Sequence, residues 1–431
     1  PREHTSDMKV YLLLMLVAMG ATALLTPVVR ALSLRWEVVP ELRSRDIQAV
    51  PVPRMGGIAM TGGLLIALLL GSRIPYMAPV FATSVPWAVM GGATAMCVLG
   101  VVDDLLELDW YTKLAGQMLI VGLMAANGVQ LVSFPIFGLT IGSSRLSLFV
   151  TVLVVVAIIN AVNFIDGLDG LAAGVVGIGA AAFFAYSYLL TRTMGADSYA
   201  TTASVVVVTL AGICAGFLWY NFHPASIMMG GGAETLGLVL AAAGIIVTGQ
   251  IDPTVLGNQQ VVAGLMPIIL PMAVIVVPLG DLLVTSVRRM AQRKSPFHAD
   301  RTHFHDRLLA RGHTHRGVVV ILYLWTAVVS VSAVSLLVFP LGRVMVAALP
   351  LAAMVVVLTA SEFPGTRTSR TARGQGDTSL DDTSALPTDR IPLPGDGNGD
   401  EDGNGDEDED GDGDGNGDDG AGPRSDSTDQ R

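Results

Sequence analysis

VLVVVAIINAVNFIDGLDG, residues 152–170, decides how this 431-residue chain is to be read. Its apolar run leads straight into Asn160, Asn163, Asp166 and Asp169, so a segment suited to a bilayer ends in a row of amides and carboxylates. Working outward, uncharged windows of about twenty residues recur along the whole chain. Half the residues are apolar (51%) and only 15% are charged. Spans are expected near Ala18, Leu65, Ala93, Gly122, Val155, Ala180, Val207, Ala242, Val274, Val329 and Met354. The expected fold is therefore an all-α integral membrane protein of about eleven transmembrane helices.

Basic residues orient it. Arg35, Arg43, Arg45 and Arg54 follow the first span, and Arg288, Arg289, Arg293, Lys294, Arg301, Arg307, Arg311 and Arg316 follow the ninth. Both connections are odd-numbered, so both face the cytoplasm by the positive-inside preference. The same parity carries five polar groups to that face: Asp103-Asp104, Asn160 to Asp169, Tyr220 to Pro224, Asp281, and the histidine-bearing stretch from Arg288 to Arg316. A single polar site at one membrane surface, able to handle a charged substrate, is the pattern of an enzyme. An ion-coupled transporter or flippase keeps ionisable groups near mid-membrane, whereas the predicted span centres here lack them.

The first apolar run, Val10 to Leu32, lacks a small-residue cleavage site and reads as a retained helix. Cys97 and Cys214 fall within spans and read as small apolar fillers. Residues Val129 to Phe134 and Phe137 to Ile141 alternate about Pro135, which predicts a short external hairpin. The negative overall charge belongs to the end of the chain: 20 of the 37 acids and 6 of the 26 bases follow Ser361. That leaves residues 1–360 as the transmembrane domain and 361–431 as a disordered, Asp/Gly-rich cytoplasmic tail.

Asp103 and Asp104 close an apolar run where charge is costly unless it meets water, a cation or a metal. Leu108, Lys113, Leu114 and Gln117 follow at fixed offsets. The second motif is Asn160, Asn163, Asp166, Gly167, Asp169 and Gly170. The third is Tyr220-Asn221-Phe222-x-Pro224-Ala225, and the fourth Pro278-Leu279-Gly280-Asp281. The fifth, in part, is Pro296-x(3)-Asp300-Arg301-x-His303-x-His305, and Pro-Arg-Met-Gly-Gly stands at Pro53 to Gly57. In this order and spacing the chain resembles the polyprenyl-phosphate N-acetylhexosamine-1-phosphate transferases, the glycosyltransferase family 4 membrane enzymes, from about Arg45 to Arg316.

The resemblance implies transfer of a sugar 1-phosphate from a UDP-sugar to a polyprenyl phosphate, with release of UMP. It implies Mg²⁺, with Mn²⁺ as an alternative, held by Asp281 and Asn163. Bringing two anionic reactants together needs such cations in a partly dehydrated place. Asp103 is the candidate proton acceptor, Asp104 a second catalytic carboxylate near the metal or Lys113, and His303 and His305 further catalytic groups. A covalent route through an Asp stays open beside direct attack by the lipid phosphate. Lys113, Asn160, Asp166, Asp169, Asn221, Arg301 and Arg307 are the candidate substrate-binding residues, with Asp169 at the uracil. With its His-x-His the chain resembles the glucosamine-type branch more than the muramoyl-pentapeptide branch, and that resemblance implies N-acetylglucosamine in a bacterial cell membrane, for cell-wall glycan synthesis; another UDP-N-acetylhexosamine is the alternative. No nucleic-acid partner is expected, and a homodimer is one assembly open to the chain.

Other histidines read differently. His298, His313 and His315 are expected as exposed loop residues, His223 as a variable position, and the absence of zinc-like spacing argues against a zinc site. Three positions depart from the family pattern. Gly231 stands where an acid is expected, with Glu234 nearby; Asp306 replaces a histidine; and Gln48 replaces a loop histidine. They motivate a second reading, a catalytically impaired scaffold, with Gly231→Asp as the reverse test.

Overall fold

The structure, a computed structural model, describes residues 2–36, 52–131, 143–194, 199–248, 308–309 and 311–361, with the side chains of 2–7, 193–194 and 199–200 excepted. The described residues lie within one compact unit, Pro1–Thr371. They are helical with no strand: α1 Arg2–Arg35, α2 Gly56–Gly71, a 3-10 turn Pro75–Met77, α3 Ala78–Phe81, α4 Val85–Leu106, α5 Trp110–Ala126 and α6 Ser144–Ile165. Then come α7 Leu171–Met194, α8 Tyr199–Asn221, α9 Gly232–Thr248, and, numbered on, α10 His315–Ser335 and α11 Leu341–Ala360.

Seven of these helices are long and apolar enough to cross a membrane, or eight if α2 and α3, bent by 96°, form one span. The shorter α5 and α9 fall where spans were expected near Gly122 and Ala242. All the expected centres but Val274, which lies outside the described residues, fall within helices. This is a multi-pass membrane protein. Helices prevail because a bilayer offers no water to backbone N–H and C=O groups, so each segment must satisfy its own. The predicted hairpin lies largely outside the described residues. Its first residues run along α6 without strand pairing: Leu131 N–H donates to Thr151 Oγ1 at 3.0 Å.

Helix α8 is the buried centre, packed against α1, α7 and α9. Its Gly212 and Gly216, four apart, let α1 approach so closely that a Cβ on Gly212 would stand 2.5 Å from the Met15 carbonyl oxygen. This is the small-residue route to helix packing in lipid, where apolar burial alone gives no preference for helix over acyl chain. Leu24, Trp219 and Val346 point outward, as lipid-facing residues do. Both cysteines are buried and free.

The helices alternate in direction, which decides where the polar residues go. The C-terminal ends of α4, α6 and α8 and the N-terminal ends of α5, α7, α9 and α10 are joined by side-chain contacts at one end of the bundle.

Candidate active site

Chain geometry delivers the first carboxylates. Helix α4 stops one turn after them because Glu107 adopts a left-handed conformation (φ 48°) and returns its N–H to the Asp103 carbonyl at 2.9 Å. Asp109 then stands at the N-terminal boundary of α5 in an extended conformation, placing Lys113 in its first turn. Lys113 Nζ meets Asp103 Oδ2 at 2.7 Å and also contacts Glu234 Oε1, from the first turn of α9. Glu234 is wholly buried, whereas the Lys113 side chain keeps 21% of its surface open. One cation therefore bridges a half-open carboxylate and a sealed one.

Asp104 faces the other way. Its Oδ2 accepts from Gly231 N–H at 2.9 Å, within electrostatic reach of Asp103, Arg54 and Lys113. Gly231 lies on Gly100 so tightly that a Cβ on Gly100 would sit 2.5 Å from the Gly231 Cα. The departure at this position thus has a local physical account. An aspartate here would drive its Cβ into the Gly100 backbone, while Glu234, one turn into α9, brings a carboxylate to Lys113 without rebuilding the loop. Around it, Met228 N–H donates to the Pro53 carbonyl at 2.8 Å, and Gly56 and Gly57 N–H groups to the Met228 and Met229 carbonyls at 3.0 and 2.9 Å. The Pro53 to Gly57 stretch is thereby fastened beside the site, with Arg54 in it.

Asn160 donates to Gln117 Oε1 and to the Val156 carbonyl, each at 2.8 Å, tying α6 to α5. Asn163 stands half-buried on the last turn of α6. Asp166 follows in the loop, half-buried. Its carboxyl is pushed up to about 8, first by burial and then by Asp104 and Asp169, with Arg54 pulling the other way. Oxygen donors gathered in a partly dehydrated place are of the type a hard dication such as Mg²⁺ takes.

Gly170 has φ +78°, a conformation that excludes ordinary side chains, and its N–H donates to Asn221 Oδ1 at 3.0 Å. Asn221 Nδ2 donates to the Ile227 carbonyl at 3.0 Å. Buried and bonded at both ends, Asn221 clamps two loops together. Tyr323 of α10 donates to the Gly170 carbonyl, adding a third element. The buried Asp169 has Oδ2 2.8 Å from His223 Nδ1 and accepts from Ala225 N–H at 3.2 Å.

The structure therefore brings Asp103, Asp104, Lys113, Asn160, Asn163, Asp166, Asp169 and Asn221 to one end of the bundle. Asp281, Arg301, His303, His305 and Arg307 lie outside the described residues, as do Gln48, His298 and Asp306. Two expectations are corrected. His313 is buried and His315 half-buried, because Gly312 (φ +95°) turns the chain and His313 N–H folds back onto the Leu308 carbonyl at 3.2 Å. His223 is engaged rather than idle: besides Asp169 it stacks on His315, ring centroids 4.1 Å apart and planes 17° apart. Arg54 escaped notice as a charged neighbour of the site; its signal was an arginine inside an otherwise apolar, glycine-rich stretch.

A polytopic helical membrane protein with acids, amides and one shared lysine gathered at a single end defines a class, membrane enzymes for charged substrates. Residues 86–248 match the model of glycosyl transferase family 4. The decaprenyl-phosphate N-acetylglucosaminephosphotransferase of Mycobacterium tuberculosis is 40% identical over 356 residues, 81% of this chain and 87% of that protein. The protein of that name from Mycolicibacterium smegmatis is 39% identical over 322 residues, 73% of this chain and 79% of the relative. A phospho-N-acetylmuramoyl-pentapeptide-transferase of Desulforudis audaxviator is 31% identical over 283 residues, 59% of this chain and 81% of its own length. The chain belongs to glycosyl transferase family 4.

Proposed function

We propose that this protein transfers N-acetylglucosamine 1-phosphate from UDP-N-acetylglucosamine to a polyprenyl phosphate, releasing UMP. The observation that carries the reading is the Lys113 ammonium held between Asp103 and Glu234 at the end of the bundle where Asp104 and Asp169 are also anchored. The similarity to decaprenyl-phosphate N-acetylglucosaminephosphotransferases over most of the chain favours this sugar over another N-acetylhexosamine. The product is a lipid-linked pyrophosphoryl sugar for cell-wall glycan. On this reading the site and the 361–431 tail face the cytoplasm at the bacterial inner membrane, an orientation supported by the positive-inside preference of the arginine-rich connections.

In the reaction, an oxygen of the lipid phosphate attacks the phosphorus that bears the sugar, and the bond to UMP breaks. Positioning and charge neutralisation dominate such a transfer. Asp103, half-buried and held by Lys113, accepts the proton of the lipid phosphate when it arrives protonated. Lys113 and Arg54 offset anionic charge beside it, and Asp169 receives a base N–H of the donor. Asn221 and Gly170 fix the loop that carries Asp169. Asn163 and Asp281 would hold Mg²⁺ or Mn²⁺, which when bound supplies the positive charge that lets the two anions approach.

The test uses purified protein, radiolabelled UDP-N-acetylglucosamine, a polyprenyl phosphate and Mg²⁺. Equal yields of lipid-linked sugar and UMP are expected, and loss of both in chelator or in Asp281→Ala. A folded protein that makes neither product with this or another UDP-N-acetylhexosamine refutes the reading and leaves the scaffold role.

A further inference from the structure

Three side chains from three separate segments meet beside the phosphoryl-transfer cluster: Asp169 after α6, His223 after α8 and His315 at the start of α10. One ligand atom from each lies within 4.8 Å of the others. We propose that Asp169, His223 and His315 bind a borderline transition-metal dication of the zinc class, at a site that shares only Asp169 with the oxygen-donor cluster.

The ligand types set the class of ion. Two imidazoles and one carboxylate suit zinc and its neighbours, whereas Mg²⁺ demands oxygen donors and keeps its water. Distances agree. A tetrahedral zinc ion with ligands at about 2.0–2.2 Å holds its donor atoms about 3.4 Å apart. Asp169 Oδ2 and His223 Nδ1, 2.8 Å apart, open slightly to admit the ion, and the His315 ring, stacked on His223 with planes 17° apart, turns out of that stack to aim a nitrogen at it.

The cluster is also held from outside. Ala225 N–H donates to Asp169 Oδ2, and Arg316 Nε donates to the His223 carbonyl at 3.0 Å. Thr314 caps α10 by accepting from Gly317 N–H at 3.1 Å, fixing where His315 leaves the helix. Metal ligands fixed by backbone and helix-end bonds in this way are preorganised. The site is open on one side, because the His223 side chain keeps 36% of its surface exposed. That opening leaves a fourth coordination position for water.

A consequence rests on the proposed transferase reading. An ion on Asp169 withdraws that carboxylate from the donor base, so zinc inhibits competitively with the UDP-sugar. Binding itself does not depend on the reading and is measured without substrate.

The experiment takes full-length protein in detergent, stripped with chelator, and titrates Zn²⁺ against a chromophoric zinc indicator. One equivalent is expected at micromolar affinity or tighter. His223→Ala and His315→Ala should each weaken it more than about tenfold, the least that loss of a supporting group costs. Zinc-edge X-ray absorption of the parent protein should show two imidazoles and an oxygen ligand. Absence of binding, binding in either variant as tight as in the parent, or fewer than two imidazoles overturns the proposal; the last result needs no variant to fold. If zinc binds as described but the protein transfers no sugar, the proposed function fails while this site stands.

Discussion

Lys113→Met isolates the shared cation. Removing it leaves Glu234 buried with its carboxylate facing Asp103, since Lys113 Nζ meets both acids. Breaking a buried pair by deleting one partner costs about 3–5 kcal/mol. Lys113→Met should therefore lose about 3–5 kcal/mol at pH 7. Adding Glu234→Met removes the buried acid as well, and apolar replacement of both partners is often near neutral. Asp103 stays partly open to water, so the double variant should regain stability to within about 1 kcal/mol of the parent. It should not regain transfer activity, since Asp103 has lost its partner. Unfolding in mixed micelles with a denaturing surfactant measures the four corners of this cycle. A single variant as stable as the parent at pH 7, or a double variant no better than the single, refutes the account.

Gly231→Asp should lower activity and stability together, by about 1–3 kcal/mol in unfolding, because its Cβ enters the Gly100 backbone; a more active variant in the transfer assay would show that the loop yields. Asp166, raised to about 8, binds more protons folded than unfolded. Its contribution to stability is therefore present at low pH and lost as pH climbs from about 4 to about 8, and Asp166→Asn should flatten that decline in melts taken across the range. Gly216→Leu forces α8 away from the Met19 backbone of α1 and should cost about 3 kcal/mol in the same unfolding measurement, while trimming an outward-facing side chain, as in Val346→Ala on α11, should cost far less.

The glycine substitution shows where reading the chain in one dimension stops. Gly231 looks like a lost acid when motif positions are compared, because spacing alone does not reveal that Gly100 occupies the space an aspartate needs. Glu234 looks three positions misplaced, yet one helical turn aims it at Lys113. Asn160 also ties α6 to α5 through Gln117, a link that spacing does not reveal. The histidines fare likewise. The zinc site inferred above joins Asp169 and His223, 54 residues apart, a pairing that a local spacing motif does not register.

Sequence by itself determined the medium and the polarity of the molecule. Runs of apolar residues fix the helices because a bilayer leaves backbone groups no other partner, and the alternation of spans sends Asp103, Asn160, Asp166 and Asn221 to a common end. Tertiary structure alone decided the pairings at that end: Glu234 rather than a loop acid on Lys113, Asn221 as a clamp, and His223 against His315. The physical reason is that span counting conserves direction but carries no information on azimuth. Which faces of neighbouring helices meet is set by close glycine contacts such as Gly100 on Gly231 and Gly212 on α1, a matter of packing across the bundle.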